Sequence, residues 1–297
     1  MITTIARPVL VGLIGRGVGP SLTPPMHELE GARHGLRYIY RSIDLDAQST
    51  DKASLKGLIG AARTLGFDGL NLTYPVKQTA VSLLDDMSPS ARMIGAVNTV
   101  RWQDDRLIGY NTDVTGFRAS LIDALGSAPL GRVVLLGAGG AGSAVCHAAA
   151  MQGVKRLTIV DVDRPRAEAL AQDIASTHKQ TVDAGTPDML PELLAQADGL
   201  INATPMGMAH HPGSPVDPAL LRPGMWVYDI VYRPVETALL AAARENGCRT
   251  ISGLGMAMHQ AADAFEIFTG EPADRQAMLT DLKTLVAVEK QTAIVHR

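Results

Sequence analysis

The stretch Arg132-Val-Val-Leu-Leu-Gly-Ala-Gly-Gly-Ala-Gly142 decides the fold. Its apolar residues Val133 to Leu136 predict a short buried strand, and three glycines follow at once in GxGxxG register. The residues Ser143 to Met151 are compatible with a helix, and Asp161 follows a second apolar run about 20 residues after the last glycine. Because strand, glycine turn, helix and acid occur in this order, the stretch predicts a dinucleotide site rather than an ordinary α/β turn.

Each of the three glycines has a predicted task in such a site. Gly137 permits a tight turn, Gly139 lets the backbone approach a pyrophosphate, and Gly142 allows the helix to pack closely on the strand. The phosphates then lie at the positive end of the helix. Further strands are predicted at 157–161, near 181, at 199–203, at 226–231 and at 249–252. Because helices separate these strands, the alternation predicts a Rossmann-like, doubly wound parallel sheet.

Composition and charge exclude several classes of function. The 297 residues leave room for two ordinary domains, and 46% hydrophobic with 19% charged residues is typical of a soluble globular chain. With 27 basic and 30 acidic residues the net charge is −3, so neither nucleic acid nor a membrane is an expected partner. Cys146 and Cys248 are isolated, which fits a reducing cytoplasm. No spacing of His or Cys, His210-His211 included, indicates a metal site.

Two hydroxyls near the front of the chain mark a candidate anion site. Pro8 to Gly15 reads as a strand buried on both faces, and Ser21-Leu-Thr-Pro-Pro25 follows after a short loop. Thr23 suits a helix N-cap, and Pro24 suits the first turn. Ser21 and Thr23 then stand beside a helix N-terminus, where hydrogen bonds and the dipole favour a carboxylate. The alternative is that Thr23 only caps the helix.

A lysine stands at an unusual place in a later segment. Gly69 to Thr73 reads as a strand, and Tyr74-Pro-Val-Lys-Gln78 then turns into a helix whose first turn contains Lys77. The dipole at that helix end disfavours an ammonium, so a partly desolvated Lys77 would be a proton-transferring amine near neutral pH. The alternative is a solvated surface lysine.

Further polar candidates lie near strand ends and on a C-terminal helix. A predicted hairpin closed at 103–105 places Asn98 and Asp113 near strand ends, where loops carry function on a rigid scaffold. Asp113 also suits the N-cap of the helix that follows, and this alternative stays open. On the predicted helix Met256–Phe268, Gln260 offers an amide either to a polar ligand or to a neighbouring backbone group.

Several motifs spread along the chain carry a resemblance to a known family. They are Ser21-Leu-Thr-Pro24 with His27, Asn71-Leu-Thr-Tyr-Pro-Val-Lys77, Gly95-Ala-Val-Asn-Thr99, Asn111-Thr-Asp113, Gly137-Ala-Gly-Gly-Ala-Gly142, Asn202-Ala-Thr-Pro-Met-Gly207, Asp229-Ile-Val-Tyr-Arg-Pro234, and Gly255 with Met258-His-Gln260. In combination they resemble the shikimate dehydrogenase family, and within it the NAD-dependent quinate/shikimate dehydrogenase branch. The likeness runs along essentially the whole chain.

The resemblance implies a role for each matching position. Lys77 and Asp113 become the catalytic pair, and Ser21 and Thr23 become the ligands of a substrate carboxylate. Ring hydroxyls of the substrate are held by Thr73, Asn98, Asp113 and Gln260, with Asn71 and Tyr232 nearby. The nicotinamide cofactor is held by Gly137, Ala138, Gly139, Gly140, Ala141, Gly142, Asp161, Asn202, Ala203, Thr204, Pro205, Met206, Val231, Gly255 and Met258.

The resemblance also implies an α/β fold of two domains with a cleft between them. Residues 115–255 form the NAD-binding Rossmann domain, and residues 1–114 form a discontinuous α/β substrate domain that the C-terminal helices at 256–297 complete. The implied reaction is reversible hydride transfer between the C3 carbinol of an alicyclic hydroxy acid, shikimate or quinate, and the nicotinamide. Lys77, polarised beside Asp113, takes the hydroxyl proton directly or in concert with the aspartate. A monomer or homodimer is expected.

The residues after the second strand of the cofactor domain favour NAD over NADP. A carboxylate at Asp161 accepts hydrogen bonds from the ribose hydroxyls and repels a 2′-phosphate. NADP-using relatives resemble Asn-Arg-Thr at this turn, where this chain has Asp161-Val-Asp163. Arg164 and Arg166 keep NADP as the alternative cofactor.

Two departures from the family pattern leave the substrate open. Thr23 replaces the second serine of the biosynthetic enzymes, as in the quinate-using branch, and Tyr74 stands where members vary. The alternatives are a dehydrogenase of a related alicyclic acid such as amino-shikimate, a non-catalytic nucleotide-binding regulatory module, and a methyltransferase that uses the same glycine loop. Intact Lys77 and Asp113 argue against the regulatory module.

Overall fold

The computed structural model describes residues 7–45, 50–126 and 130–295, with side chains up to residue 289. Contacts divide the chain into two compact units. Unit 1 comprises Met1–Thr112 and Met258–Arg297, and unit 2 comprises Asp113–Ala257. The predicted α/β fold is confirmed, while the functional boundaries at 114 and 255 stay predictions. In the described part of the chain, no helix is both long and apolar enough to cross a membrane.

A mixed sheet forms the centre of unit 1. Its described strands are β1 (Val9–Gly15), β2 (Tyr38–Asp44), β3 (Gly69–Leu72), β4 (Asp86–Met87), β5 (Thr99–Gln103) and β6 (Arg106–Tyr110). Their order in the sheet is β2-β1-β3-β5-β6-β4. β1 is parallel to β2 and β3, whereas β5 is antiparallel to β3 and β6. The carboxyl ends of β1, β2 and β3 therefore share one edge of the sheet with the amino end of β5.

Helices cover both faces of this sheet. Those that lie mostly in unit 1 are α1 (Thr23–Arg33), α2 (Lys52–Thr64), α3 (Pro89–Ile94), α9 (Leu254–Thr269) and α10 (Arg275–Val295). Ile14 of β1 packs in one core with Leu55 of α2. Val11 and Leu13 pack in another core with Phe265 of α9. Because successive side chains of a strand point to opposite faces, β1 is buried on both sides, as its apolar run predicts.

The predicted hairpin is confirmed, with a tighter turn than expected. β5 includes Gln103, so only Asp104 and Asp105, both with positive φ, connect it to β6. Two residues in the left-handed backbone conformation give a two-residue turn the same twist as its flanking strands. Asp adopts that conformation more readily than most other residues. The strand β4 and the helix α3 are absent from the sequence-based prediction, because both are too short to show a period.

A parallel sheet forms the centre of unit 2. Its described strands are β7 (Arg132–Leu136), β8 (Arg156–Val160), β9 (Val182–Gly185), β10 (Gly199–Asn202), β11 (Trp226–Asp229) and β12 (Arg249–Ser252). The helices between them are α5 (Gly140–Met151), α6 (Arg164–His178), α7 (Leu190–Gln196) and α8 (Ala238–Glu245), and α4 (Thr112–Leu125) precedes them. Every strand pair is parallel, in the order β12-β11-β10-β7-β8-β9. This confirms the predicted doubly wound sheet, and the poorly marked strand near Thr181 is β9.

The order of strands reverses at β7, which has β8 on one side and β10 on the other. Doubly wound sheets bind ligands at such a reversal, outside the carboxyl ends of the strands. The carboxyl ends of β7, β8 and β10, with the segments that follow them, contain the glycine turn, Asp161 and Asn202.

His27 of α1 is fully buried in an aromatic cluster of unit 1. Its ring centroid lies 5.0 Å from that of Tyr40 and 6.2 Å from that of Phe265, and its Nδ1 is 3.0 Å from the Tyr38 hydroxyl. Its Nε2 has no hydrogen-bond partner among the described residues. Burial lowers the pKa of His27 to about 3, so the ring is neutral in the folded protein.

We expect the free energy of unfolding to fall as the pH drops from 6.5 toward about 3, because only the unfolded chain then protonates His27. The contribution is complete above pH 6.5 and is lost below it at roughly 1.4 kcal/mol per pH unit, on the order of 2 kcal/mol at pH 5. Urea unfolding at about pH 7.5 and pH 5 measures it. His27→Gln should lose less stability between these pH values than wild type, and the exposed-site control His210→Gln should lose as much. Equal losses in wild type and His27→Gln would contradict the lowered pKa.

Candidate active site

A carboxylate at the end of β2 holds the loop between β1 and α1. Asp44 Oδ1 accepts the backbone N–H of Gly17 at 3.0 Å, and its Oδ2 accepts those of Val18 at 2.9 Å and Gly19 at 3.3 Å. The N–H of Ser21 then donates to the Val18 carbonyl at 3.0 Å. The fixed loop therefore delivers Ser21, half-buried, to the amino end of α1.

Thr23 is the first residue of α1, so the prediction that it is the N-cap is wrong. The N-cap is Leu22, whose side chain has no acceptor, and the Ser21 hydroxyl oxygen instead accepts the Thr23 N–H at 3.3 Å. Pro24 lies in the first turn, as predicted. Both hydroxyls thus stand at the helix N-terminus, where the dipole favours an anion.

Thr73 follows the last residue of β3 and lies against β1. Its N–H donates to the Ile14 carbonyl at 2.9 Å. A Cβ on Gly15 would come within 2.2 Å of the Thr73 methyl carbon, so the glycine makes room for this side chain. Thr73 therefore stands at the edge of the sheet from which the loop to Ser21 leaves β1.

Lys77 lies in a turn and not in the first turn of an α-helix, so the predicted effect of a helix dipole on this lysine is wrong. Residues 74–78 form turns, and the helix that follows is a short 3-10 helix, Thr79–Leu83. The physical reason is that the Lys77 carbonyl accepts the Val97 N–H at 3.1 Å and is not used within a helix. The same bond ties the half-buried Lys77 to the segment that leads into β5.

Asn71 and Asn98 lie side by side, because β3 and β5 are antiparallel and Asn71 pairs with Thr99. Asn71 Nδ2 donates to the Asn98 carbonyl at 3.2 Å. Asn98 Oδ1 accepts the N–H of Thr112 at 2.8 Å, and Asn98 Nδ2 donates to the Thr112 hydroxyl at 2.9 Å. The side chain of Asn98 therefore caps α4 from a neighbouring segment of the sheet.

Asp113 is the second residue of α4, and the prediction that it caps this helix is wrong. Thr112 begins the helix, and Asn98 supplies the acceptor that a capping side chain would provide. The Asp113 carboxyl group is left in the first turn, 6% exposed, where the dipole favours a negative charge. Asp113 is also the first residue of unit 2.

The structure brings most of the predicted substrate residues of unit 1 to one edge of its sheet. They are Ser21, Thr23, Thr73, Lys77 and Asn98, with Asn71 in the adjoining strand. Gln260 lies half-buried on α9 in the same unit. Tyr232 belongs to unit 2, where it follows β11; burial raises the pKa of its phenol against the opposing effect of Arg233. The edge presents hydroxyls, amides and one amine, which suit a small anion that carries hydroxyl groups.

The glycine loop of unit 2 has the geometry that a dinucleotide requires. Gly137 has a φ of +95°, which L side chains rarely adopt, and its N–H donates to the Val160 carbonyl at 2.8 Å. A Cβ on Gly142 would lie 1.9 Å from the Gly137 carbonyl oxygen, so only glycine allows α5 to approach the turn. A Cβ on Gly139, the extended N-cap of α5, would meet no atom within 4 Å. This open space at the helix N-terminus fits a phosphate.

Asp161 follows β8 and holds the glycine loop in place. Its Oδ2 accepts the Ala138 N–H at 2.7 Å, and its Oδ1 accepts the Asp163 N–H at 2.9 Å and a guanidinium N–H of Arg166 at 3.0 Å. Burial alone would raise the pKa of Asp161, but these hydrogen bonds and the charge of Arg166 hold it below its usual value. The carboxylate is therefore ionised at the carboxyl edge of the sheet.

Asn202 ends β10 and organises the loop that follows it. Its Nδ2 donates to the Met206 carbonyl at 3.0 Å and to Asp229 Oδ1 at 2.9 Å. Its Oδ1 accepts the N–H of Thr204 at 3.1 Å and the Thr204 hydroxyl at 2.6 Å. One buried carboxamide thus fixes both ends of a loop whose tip, at Pro205 and Met206, is exposed.

Asp229 and Thr237 belong to the same network, and sequence analysis assigned neither of them a role. Asp229 is fully buried, and it accepts the Thr237 hydroxyl at 2.6 Å and the Val231 N–H at 3.0 Å. Burial raises the pKa of Asp229, while these hydrogen bonds act in the opposite direction. The sequence signal for this network is an acid directly after the apolar run Trp226–Tyr228. A carboxylate at the end of a buried strand is itself buried and therefore needs hydrogen-bond partners.

The remaining predicted cofactor residues are distributed over several segments. Ala138 and Ala203 are buried in the loops just described, and Gly140 and Ala141 begin α5. Gly255 lies on α9, where a Cβ would come within 2.3 Å of the Ser120 hydroxyl oxygen. Met258 is buried on the same helix and belongs to unit 1. Among the described residues, no group of His, Cys, Asp and Glu is arranged to hold a metal ion.

Profiles of known families match parts of both units. The Shikimate dehydrogenase substrate binding domain matches residues 13–100, and the Shikimate 5'-dehydrogenase C-terminal domain matches residues 253–282. The Saccharopine dehydrogenase NADP binding domain matches residues 133–212. The last of these ranges contains the glycine loop, Asp161 and Asn202.

Individual proteins match the chain over almost its whole length. A protein of Streptomyces avermitilis named shikimate dehydrogenase (NADP(+)) is 52% identical over 280 residues, which cover 93% of this chain and 95% of that protein. A protein of Corynebacterium efficiens named quinate/shikimate dehydrogenase (NAD(+)) is 47% identical over 272 residues, 91% of this chain and 96% of that protein. The solved structure of quinate dehydrogenase from Corynebacterium glutamicum in complex with NAD has a TM-score of 0.88 and 44% identity, and the match covers 93% of this chain and 99% of that one.

Replacing Gly142 should destabilise unit 2, whereas replacing Gly140 should not. A Cβ on Gly142 meets backbone at 1.9 Å and forces α5 away from the turn, at a cost of roughly 3 kcal/mol. A Cβ on Gly140 meets no atom within 4 Å, and alanine is the better helix former. Urea unfolding of Gly142→Ala, with Gly140→Ala as the control, measures the difference. A Gly142→Ala protein as stable as the control would show that the turn tolerates a side chain.

Proposed function

The chain belongs to the shikimate dehydrogenase family, and on that premise we propose that it transfers a hydride between NAD and the C3 carbinol of shikimate, quinate or both. The oxidised products are 3-dehydroshikimate and 3-dehydroquinate. As a member of the family the protein is an oxidoreductase that acts on a CH–OH group with a nicotinamide cofactor. The identity of the acid and the choice of NAD are the proposal.

The observation that carries the proposal is the edge of the unit 1 sheet where Thr73, Lys77 and Asn98 stand together. In the proposed complex the hydroxyls of Ser21 and Thr23 bind the substrate carboxylate, assisted by the α1 N-terminus. The ring hydroxyls are held by Thr73, Asn98, Asp113 and Gln260, with Asn71 and Tyr232 close to them. Residues 1–114 and 256–297 then form the substrate domain.

Residues 115–255 form the proposed cofactor domain. The open space at Gly139 and the N-terminus of α5 would hold the pyrophosphate, and Asp161 would accept the ribose hydroxyls. The loop fixed by Asn202, together with Val231, Gly255 and Met258, would hold the rest of the dinucleotide. When bound, the nicotinamide ring supplies the hydride acceptor.

Lys77 is the proposed acceptor of the hydroxyl proton. An alcohol that loses a hydride from carbon must also lose the proton on its oxygen, and a neutral amine within reach of that oxygen accepts it. Lys77 is half-buried at the same edge as Thr73 and Asn98. Asp113 is proposed to bind the reacting hydroxyl and orient it toward the amine.

Asp161 supports NAD as the cofactor. Its carboxylate is 8% exposed and ionised, and in the proposed complex it would repel a 2′-phosphate on the adenosine ribose. Arg166 pairs with Asp161 at 3.0 Å and Arg164 pairs with Glu168 at 2.8 Å, so carboxylates already engage both nearby guanidinium groups. The Streptomyces relative carries NADP in its name, which makes cofactor choice the first property to measure.

Turnover measured as reduced nicotinamide, with shikimate and quinate each against NAD and NADP, tests the reaction. We expect oxidation of at least one acid with NAD, and we expect Lys77→Ala to lower kcat by about 10²–10⁴-fold because the proton acceptor is lost. The Kd for NAD should stay within about twofold, since the lysine does not hold the dinucleotide. Lys56→Ala, an exposed lysine of α2, is the control and should match wild type. Negligible turnover by wild type in all four combinations would overturn the proposal, and wild-type kcat in Lys77→Ala would remove the role of Lys77.

Asp161→Ser should shift cofactor preference toward NADP. Serine keeps an acceptor for the glycine loop but removes the charge, so the ratio of kcat/KM for NAD to that for NADP should fall about tenfold, the factor that 1.4 kcal/mol represents. Asp183→Ser is the control, because that acid of β9 pairs with Arg156 and not with Arg166. A wild type that prefers NADP, or an unchanged ratio in Asp161→Ser, would refute the assigned role of Asp161.

A further inference from the structure

A buried row of hydrogen bonds in unit 1 begins at Tyr40, which has no role in the proposed function. Tyr40 lies in β2 with 5% of its surface exposed, and its hydroxyl donates to Asn71 Oδ1 at 2.6 Å. Since β1 stands between β2 and β3 in the sheet, this hydroxyl reaches past a whole strand. Burial raises the pKa of the Tyr40 phenol, so the hydroxyl keeps its proton and donates it.

The donation by Tyr40 and the Asn98 carbonyl together determine which way the Asn71 carboxamide points. With Oδ1 used as the acceptor, Nδ2 faces β5 and donates to the Thr99 hydroxyl at 2.9 Å and to the Asn98 carbonyl at 3.2 Å. Thr99 is fully buried, and its own hydroxyl proton donates to Asn98 Oδ1 at 3.1 Å. Each group in the row therefore accepts from the previous one and donates to the next, so the row has a single direction.

The row ends on the side chain of Asn98 and the first residue of α4. Asn98 Oδ1 accepts from Thr99 and from the Thr112 N–H, so the carboxamide oxygen is turned toward two donors. An inverted Asn98 amide would place its NH₂ group against the Thr112 N–H, with donor facing donor. The Thr112 N–H therefore fixes the orientation of Asn98. The Thr99 hydroxyl reinforces it as a second donor, and its proton points to Asn98 because Asn71, which accepts from Tyr40, occupies the Thr99 oxygen as a donor.

We infer that Tyr40 and Thr99 are positioning residues for Asn98, because their row of hydrogen bonds holds its carboxamide more firmly in the orientation in which it meets a substrate hydroxyl. The inference rests on the proposed function, in which Asn98 holds a ring hydroxyl of the acid. Neither positioning residue touches the substrate, and both act through the amides of Asn71 and Asn98. An amide that is held by fewer hydrogen bonds binds a hydroxyl less well, because part of the binding free energy is spent on ordering the amide.

Tyr38 provides a matched control on the same strand. It is also buried, 8% exposed, and its hydroxyl lies 3.0 Å from His27 Nδ1, outside the row that starts at Tyr40. Tyr38→Phe and Tyr40→Phe each remove one buried hydroxyl from unit 1, so each causes a similar general loss of stability. Of the two, only Tyr40→Phe removes a donor from the Asn71 amide and so weakens the row that ends at Asn98.

The test measures kcat, the KM for the acid, the KM for NAD and the thermal midpoint of wild type, Tyr40→Phe, Thr99→Val and Tyr38→Phe. In Tyr40→Phe and Thr99→Val the KM for shikimate or quinate should rise about tenfold, because about one hydrogen bond's worth of binding free energy is lost. The KM for NAD should stay unchanged. Tyr38→Phe should keep both KM values of wild type. The double variant Tyr40→Phe/Thr99→Val should raise the KM no further than the larger single effect, because both substitutions break one row.

Two results would overturn the inference while leaving the proposed function intact. One is an active wild type with unchanged KM for the acid in both Tyr40→Phe and Thr99→Val, and the other is an equal rise in Tyr38→Phe. Calorimetric binding of the acid to each protein, without cofactor, gives the same comparison for a variant whose turnover is too slow. A wild type that neither binds nor oxidises shikimate or quinate would instead overturn the proposed function, and this inference with it.

Discussion

A carboxamide or carboxylate that is buried at the end of a strand must have its hydrogen-bonding groups satisfied, and this requirement organises both units of the protein. In unit 1, Asn71 meets it by donating to the Asn98 carbonyl, and Asn98 by accepting from the first residue of α4. In unit 2, Asp161 meets it by accepting from the glycine loop, and Asn202 by binding the loop after β10. The candidate site is therefore built on loops that side chains from neighbouring strands hold in place.

Strand direction decides which of these loops share an edge. In unit 2 every strand pair is parallel, so the segments after β7, β8 and β10 emerge together, next to the reversal of strand order at β7. In unit 1 the strand β5 runs antiparallel to β3, and its amino end, preceded by Asn98, joins the carboxyl ends of β1 and β3. Each unit thus brings several polar groups to the same edge of its sheet.

Asp161 links cofactor choice to the geometry of the glycine loop. The same carboxylate that would repel a 2′-phosphate also accepts the Ala138 N–H within the loop. A residue at this position must therefore supply an acceptor whatever its charge, which restricts the side chains that can change the preference between NAD and NADP. Asn202 and Asp229 likewise support two segments at once. Hydrogen-bonded to each other, they hold both the loop after β10 and the segment that contains Val231.

The sequence by itself determined the elements whose signals are local. The strand Val133–Leu136, the glycine turn and α5 follow one another directly, and the spacing of the glycines contains the reason for the turn, so the parallel sheet of unit 2 was predictable. The family motifs likewise pointed to Lys77, Asn98 and Asp113. Only the tertiary structure decided how those residues are held. Lys77 sits in a turn whose carbonyl at that residue accepts the Val97 N–H, and Asp113 lies within α4 because Asn98, just before β5, caps that helix. These partners are distant in sequence, and no local pattern of charge or hydrophobicity records a hydrogen bond that strand pairing creates.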